Sequence, residues 1–186
     1  GNHDTGSRLG QKAFKQTLRR DFYYSFDYKG SHFIILNTDM AGQEGKIEKN
    51  QLDWLKQDLE NNKSDRHIFV MMHRPLYSVM NPEGKRSKHQ AFTDKRNEYE
   101  IRMLMVEYQV EAVFAGHEHF FNKQIRDGVT YVITGAAGAP LYADETHGGF
   151  YHYVKVRVNG DSIYMQVVKL GGQTLNPDSV LKPVFK

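Results

Sequence analysis

The stretch His67-Ile68-Phe69-Val70-Met71-Met72-His73-Arg74-Pro75 decides the fold. Residues 67–72 read as a strand that is apolar almost throughout, without the alternation of a strand wetted on one side. That pattern belongs to a strand covered on both faces, as in a mostly parallel sheet. Parallel neighbours need crossover connections, usually helical, and the flanking sequence offers them. Residues 49–61 read as an amphipathic helix, with Leu52, Leu55 and Leu59 at helical spacing and Trp54 alongside. Residues 78–97 read as a long polar loop with the turn signal Asn81-Pro82-Glu83-Gly84. Residues 98–108 read as a second helix, with Ile101, Leu104, Met105 and Tyr108 on one face. Residues 111–115 and 129–134 read as further short strands, the second ending in Gly135-Ala136-Ala137-Gly138.

At the amino end, residues 1–21 read as a loop and then a basic helix with Phe14 and Leu18 at i and i+4. Residues 22–28 and 32–38 read as a hairpin about Lys29-Gly30-Ser31. Residues 151–158 and 162–169 read as a closing hairpin about Asn159-Gly160-Asp161. Strand–helix–strand–helix–strand order, with hairpins adding antiparallel strands, argues for an α/β layered fold. No repeat, linker or second domain is visible.

The 186 residues, 39% hydrophobic and 25% charged, suffice for one globular domain with a core. A net charge of +3 with nine uncounted histidines is mildly basic, well short of a nucleic-acid-binding stripe. The densest basic group, Lys85, Arg86, Lys88, His89, Lys95 and Arg96, lies in one polar segment and reads as a solvated loop rather than an anion-attracting rim. No specific nucleic-acid partner is therefore expected. The absence of cysteine excludes disulfides and Cys-ligated zinc but leaves the compartment open. No apolar run approaches the ~20 residues of a membrane span.

Three fragments carry chemistry: Gly1-Asn2-His3-Asp4, His73-Arg74-Pro75 and Gly116-His117-Glu118-His119. In open α/β sheets, sites form beyond the carboxyl ends of the strands. His73 follows its strand directly and His117 follows its own by one glycine, so both project into one crevice. Gly116 permits a sharp turn there. Neutral imidazole binds zinc, iron, nickel and copper, and manganese with oxygen co-ligands. An Asn amide oxygen adds a hard, uncharged ligand. Taken singly, each fragment has a plainer reading. A histidine after a strand is most often hydrogen-bonded surface or core, and Asn-His-Asp is ordinary turn chemistry. The order, the two strand ends and the flanking glycines together carry the metal reading.

These motifs resemble the calcineurin-like metallophosphoesterase superfamily. The stretch Tyr23-Tyr24-Ser25-Phe26-Asp27-Tyr28…His32-Phe33-Ile34-Ile35-Leu36-Asn37-Thr38 and the segment Gln51-Leu52-Asp53-Trp54-Leu55 look like its purple-acid-phosphatase-like branch. The resemblance runs from residue 1 to about residue 170. It implies a layered αββα metallophosphoesterase sandwich, with residues 1–186 as the C-terminal portion of a single domain. It also implies two divalent or trivalent metal ions, of manganese, iron or zinc. Asn2, His73 and His117 would bind one ion and His119 the other. His3 would stabilise the phosphoryl group or protonate the leaving oxygen, and Asp4 would orient that loop. A metal-activated hydroxide would hydrolyse a phosphomonoester or phosphodiester. Arg74, Tyr77 and His147 are the substrate-contact candidates, with Tyr142 nearby. The arginine fork suits phosphate.

The family also supplies an Asp-x-His on its first strand and a Gly-Asp on its second. Neither is found here in the required place, so the domain is expected to be N-terminally incomplete. Asp65-Arg66-His67 has the right letters but begins the strand whose far end carries His73, roughly 20 Å away at ~3.3 Å per residue. Gly160-Asp161 reads as a hairpin turn. Gly135-Ala136-Ala137-Gly138 lacks the Lys-Ser/Thr of a phosphate loop. The expected consequences are partial or no metal occupancy, and a non-catalytic truncated domain as the alternative to an enzyme. Self-association through exposed sheet edges is expected as well.

Overall fold

The structure, a computed structural model, describes residues 1–47, 49–80 and 92–183. The basic group at Lys85, Arg86, Lys88 and His89 and the turn signal at 81–84 lie outside the described residues. In chain order the elements are α1 (Asn2–Thr5), α2 (Arg8–Leu18), β1 (Tyr24–Tyr28), β2 (Ser31–Ile35), β3 (Asp39–Met40) and β4 (Gln43–Glu44). Then come α3 (Lys49–Asn61), β5 (His67–Met72), α4 (Lys95–Glu107), β6 (Ala112–Ala115), β7 (Phe121–Arg126) and β8 (Val129–Thr134). β9 (His152–Asn159), β10 (Ser162–Lys169) and β11 (Thr174–Leu175) close the chain.

The main sheet has the order β1-β2-β5-β6-β8-β7. Strands β2, β5, β6 and β8 are mutually parallel, and the hairpin partners β1 and β7 run antiparallel at the two edges. Helices α3 and α4 supply the crossovers from β2 to β5 and from β5 to β6. Alternate residues of the strands face them: Ile34, Ile68, Val70, Met72, Val113, Ala115 and Tyr131 pack with Leu52, Leu55, Leu59, Ile101, Leu104 and Met105 in the largest core. β5 is apolar on both sides because its other face is also covered, Phe69 being 2% exposed. The opposite face of β6–β8 meets the antiparallel sheet β11-β10-β9 through Phe121, Val132, Phe150 and Val167. Helices, six-stranded sheet and three-stranded sheet are successive layers of the expected sandwich.

Three local readings need correction. Residues 2–5, read as loop, form a helical turn whose amide groups reach the Gly1 carbonyl. The second crossover helix begins at Lys95 rather than residue 98, because Asp94 caps the amide groups of Arg96 and Asn97. Strand β7 was not foreseen, since Asn-Lys-Gln in its middle hides the period of two.

Candidate metal centre

The parallel strands all end at one edge of the sheet, so their exits lie side by side. His73 leaves β5 and Gly116-His117 leaves β6. The Gly116 amide donates to the His73 carbonyl at 3.0 Å and ties the two exits together. Helix α1 lies across them. A Cβ on Gly1 would stand 2.6–2.8 Å from the His73 ring, so the backbone approaches the imidazole as closely as only glycine allows. Thr5 docks this helix. Its hydroxyl lies 3.1 Å from Asn37 Oδ1 and 3.0 Å from the Asp39 carbonyl, at the exit of β2. Gln51 of α3 holds Asn37 in turn, accepting its amide at 2.7 Å and donating to its carbonyl at 2.9 Å.

Three ligand atoms converge as a result. His73 Nε2 lies 2.7 Å from Asn2 Oδ1 and 2.9 Å from His117 Nδ1. Asn2 Oδ1 can only accept, and the two facing imidazole nitrogens can share at most one proton, so lone pairs outnumber protons at this meeting. Burial first, then the neighbouring His117, push the His73 pKa down from 6.5 to about 4. The ring is therefore neutral at neutral pH, the form that binds metal. One oxygen and two imidazole nitrogens around a point with too few protons fit a cation.

His119 stands apart. Its Nδ1 donates to the Pro140 carbonyl at 2.8 Å, and its ring stacks on Tyr142 at 4.2 Å. A carbonyl can only accept, so the proton sits on Nδ1 and Nε2 keeps its lone pair, the usual outer-shell arrangement of a ligating histidine. Among the described residues the one group of three His, Asp or Glu ligand atoms within 4.8 Å is Asp27, His32 and Asp65. Among the described residues, His119 thus does not join His73 and His117 at one point, and neither does a carboxylate. The Asp27–His32–Asp65 group lies at the amino end of β2, away from the His73 edge, and both His32 nitrogens already meet carboxylates.

His3 is exposed on α1, one residue from Asn2. Asp4 Oδ2 lies 2.7 Å from the Gly1 amine, which draws the Asp4 pKa below its ordinary value. His147 ends a short 3-10 turn, its Nδ1 2.8 Å from each oxygen of Asp144. Two expectations do not fit where the structure places the side chains. Arg74, read as a substrate contact, is 2% exposed, with Nε and Nη2 each 2.7 Å from Asp39 Oδ1. Its fork is turned inward to a buried carboxylate. Tyr77, also read as a substrate contact, lies against Tyr131 on the helix side of the sheet, with Arg102 and Arg126 over its ring.

Sequence reasoning did not pick out Thr5, Asp39, Glu118 and Pro140, and left Tyr142 as a minor candidate. Glu118 is fully buried, and its carboxylate accepts from the Ser78 hydroxyl, the Val79 amide at 3.0 Å and the Met80 amide at 3.4 Å. Burial pushes its pKa up to about 7, against the pull of those donors.

A family model described as calcineurin-like phosphoesterase matches residues 1–121. The chain is 30% identical over 172 residues to purple acid phosphatase 23 of Arabidopsis thaliana, covering 84% of this chain and 34% of that protein. It is 27% identical over 154 residues to a cAMP/cGMP dual specificity phosphodiesterase of Mycobacterium tuberculosis, covering 77% of this chain and 45% of that one. Its fold is similar to that of a purple acid phosphatase from yellow lupin (Lupinus luteus) seeds. The TM-score is 0.72 at 18% identity, over 95% of this chain and 38% of that one. The chain thus spans less than half the length of each of these proteins.

Proposed function

The chain belongs to the calcineurin-like phosphoesterase family, and we propose that it is a portion of one phosphoesterase domain whose whole form hydrolyses a phosphomonoester or phosphodiester. The observation that carries this reading is the meeting of Asn2 Oδ1, His73 Nε2 and His117 Nδ1. These three atoms would hold one ion, and His119 Nε2 would contribute to a second. Ions of the manganese, iron or zinc kind would supply Lewis acidity toward a phosphoryl oxygen and a lowered pKa for bound water. His3, exposed beside Asn2, would donate a hydrogen bond to the phosphoryl group or a proton to the leaving oxygen. Asp4 would brace the first turn that carries both. His147, polarised by Asp144, is the remaining substrate-contact candidate. Arg74 acts from behind, fixing the exit of β2 to that of β5.

A second reading has its own support: a domain with a partial metal site that does not catalyse. Among the described residues no carboxylate oxygen shares the point where His73 and His117 meet, and the three ligands there are neutral. Without negative charge to offset its own, a cation would be held weakly. Neither reading includes a nucleic-acid partner.

One experiment separates them. The purified chain is dialysed against metal-free buffer, its metal content determined, and manganese, iron and zinc forms tested on a panel of phosphomonoesters and phosphodiesters. The enzymatic reading expects metal-dependent turnover that His117→Ala lowers by at least ~100-fold, since ligand loss removes the electrostatic term. Bound metal without turnover, in this chain and in a longer form carrying it, would leave the non-catalytic reading standing.

A further inference from the structure

His117 has φ of 66°, in the left-handed region that histidine seldom enters. The reason is a three-residue turn: the Glu118 amide donates to the Gly116 carbonyl at 2.7 Å across His117. With positive φ at its centre, this is the rarer and more strained hand of that turn. A second three-residue turn, without a positive φ, follows at once, the Phe120 amide donating to the Glu118 carbonyl at 2.9 Å across His119. Each histidine is thus the apex of its own turn, and Glu118 belongs to both. Its N–H closes the first and its C=O closes the second.

The Glu118 carbonyl also abuts β8, for a Cβ on Gly135 would lie 2.3 Å from it. The side chain completes the fastening. One carboxylate oxygen takes the Ser78 hydroxyl and the other takes the Val79 and Met80 amides. Those donors sit on the segment that leaves β5 after His73. Main chain and side chain of one residue therefore join the exits of β5, β6 and β8. A strained turn persists only where its surroundings over-determine it, and here Glu118 supplies that constraint.

We propose that Glu118 is the positioning residue of the centre, fixing the aim and separation of His117 and His119. This rests on the metal-centre reading above. Glu118 touches neither the ions nor the substrate, and acts through the two ligands that flank it. Its carboxylate matters as a double acceptor for the 78–80 segment. Gln can play most of that part. Its Oε1 accepts the two amides while its amino group donates to Ser78 Oγ, which can also accept. Met has similar length and no acceptor.

The test is titration of the chain with Co2+, followed by the visible bands that report ligand geometry, in wild type, Glu118→Gln, Glu118→Met and His117→Ala. Thermal unfolding of the metal-free proteins controls for the fold. Glu118→Met is expected to weaken Co2+ binding by ~10-fold or more, in the range typical of outer-shell substitutions, and to shift the bands of the folded protein. Glu118→Gln is expected to restore wild-type affinity and bands. A purely structural role would lower the unfolding temperature of Glu118→Met and leave the bands of the folded protein unchanged, and that result overturns the proposal. Should Glu118→Met fail to fold, Ser78→Ala removes one of the fastening donors. It is expected to shift affinity and bands in the same direction by less, and wild-type behaviour would overturn the proposal. Wild type that binds no Co2+, or His117→Ala that binds as wild type does, removes the metal centre itself rather than the role of Glu118 within it.

Discussion

His32 is 2% exposed and stands between carboxylates from three parts of the chain. Its Nδ1 lies 2.6 Å from Asp27 Oδ1 on β1, its Nε2 lies 2.9 Å from Asp58 Oδ2 on α3, and Asp65 comes within 4.0 Å. Burial works to lower its pKa, but the hydrogen bonds to Asp27 and Asp58 outweigh burial and hold the pKa above 6.5. The folded state therefore keeps this proton longer than the unfolded chain does. The resulting stability is fully present below pH 6.5 and is lost as pH rises through the folded value. His73 and His152 run the other way. Burial lowers both their values, so they favour the folded state above 6.5 and cost stability as pH falls below it. Denaturant midpoints measured from pH 5 to pH 9 should accordingly pass through a maximum near neutrality. His32→Gln should flatten the alkaline fall and leave the acid side in place. An alkaline limb of unchanged slope in that variant would show that His32 is not its source.

Among the elements, β7 is the instructive case. Its partner β8 could be read from the run Val-Thr-Tyr-Val-Ile-Thr, but Phe-Asn-Lys-Gln-Ile-Arg shows no clean alternation because β7 is an edge strand. The signal lay in the turn. Asp127 and Gly128 have φ of 51° and 84°, the two positive values that a tight hairpin with right-handed twist demands. Gly128→Val places a β-branched residue there and should cost about 1–2 kcal/mol, read as a lower urea midpoint. Metal affinity should not change, since this turn is at the far end of β8 from the ligands. A loss of metal binding equal to that of His117→Ala would contradict the separation of turn from site. The same contrast explains what else was legible. Helix α3 and strands β5, β8 and β10 keep the bounds read from sequence because each has a strong period or an unbroken apolar run between turn residues. His73 and His117 could be paired in advance because strand ends converge by topology, whereas Asn2 joined them only through the family resemblance. The contacts of Arg74 with Asp39, of Glu118 with residues 78–80 and of Tyr142 with His119 join positions 23 or more residues apart. Nothing local in the sequence marks such pairs.

On the scale of the whole molecule, the two sheets do not cover one another completely. The three-stranded sheet lies over β6–β8, while Phe26, Phe33 and Phe69 form a ladder on the neighbouring strands with centroid spacings of 5.1 and 5.3 Å. Phe26 is 46% exposed. A cleft of about 660 Å³ separates Phe33 and His67 from Val156 and Val158 of β9. Strand β9 is also the edge of its sheet. Beyond His152, whose amide reaches the Ala136 carbonyl, no strand pairs with its outer side among the described residues. An eight-residue edge beside exposed apolar rings invites strand pairing, and every copy of the chain carries the same edge. A second copy is therefore the expected occupant, with β9 edges meeting antiparallel. Lys155 and Arg157 would then approach their own counterparts, so screening should favour association. Sedimentation velocity across a concentration series should show reversible self-association that strengthens with added salt. Val156→Lys, which sets a charge on the apolar side of the edge as natural edge strands do, should weaken it while leaving the unfolding midpoint nearly unchanged. A monomer at every concentration and salt level would mean that the edge and the exposed Phe26 ring remain solvated without cost enough to drive pairing.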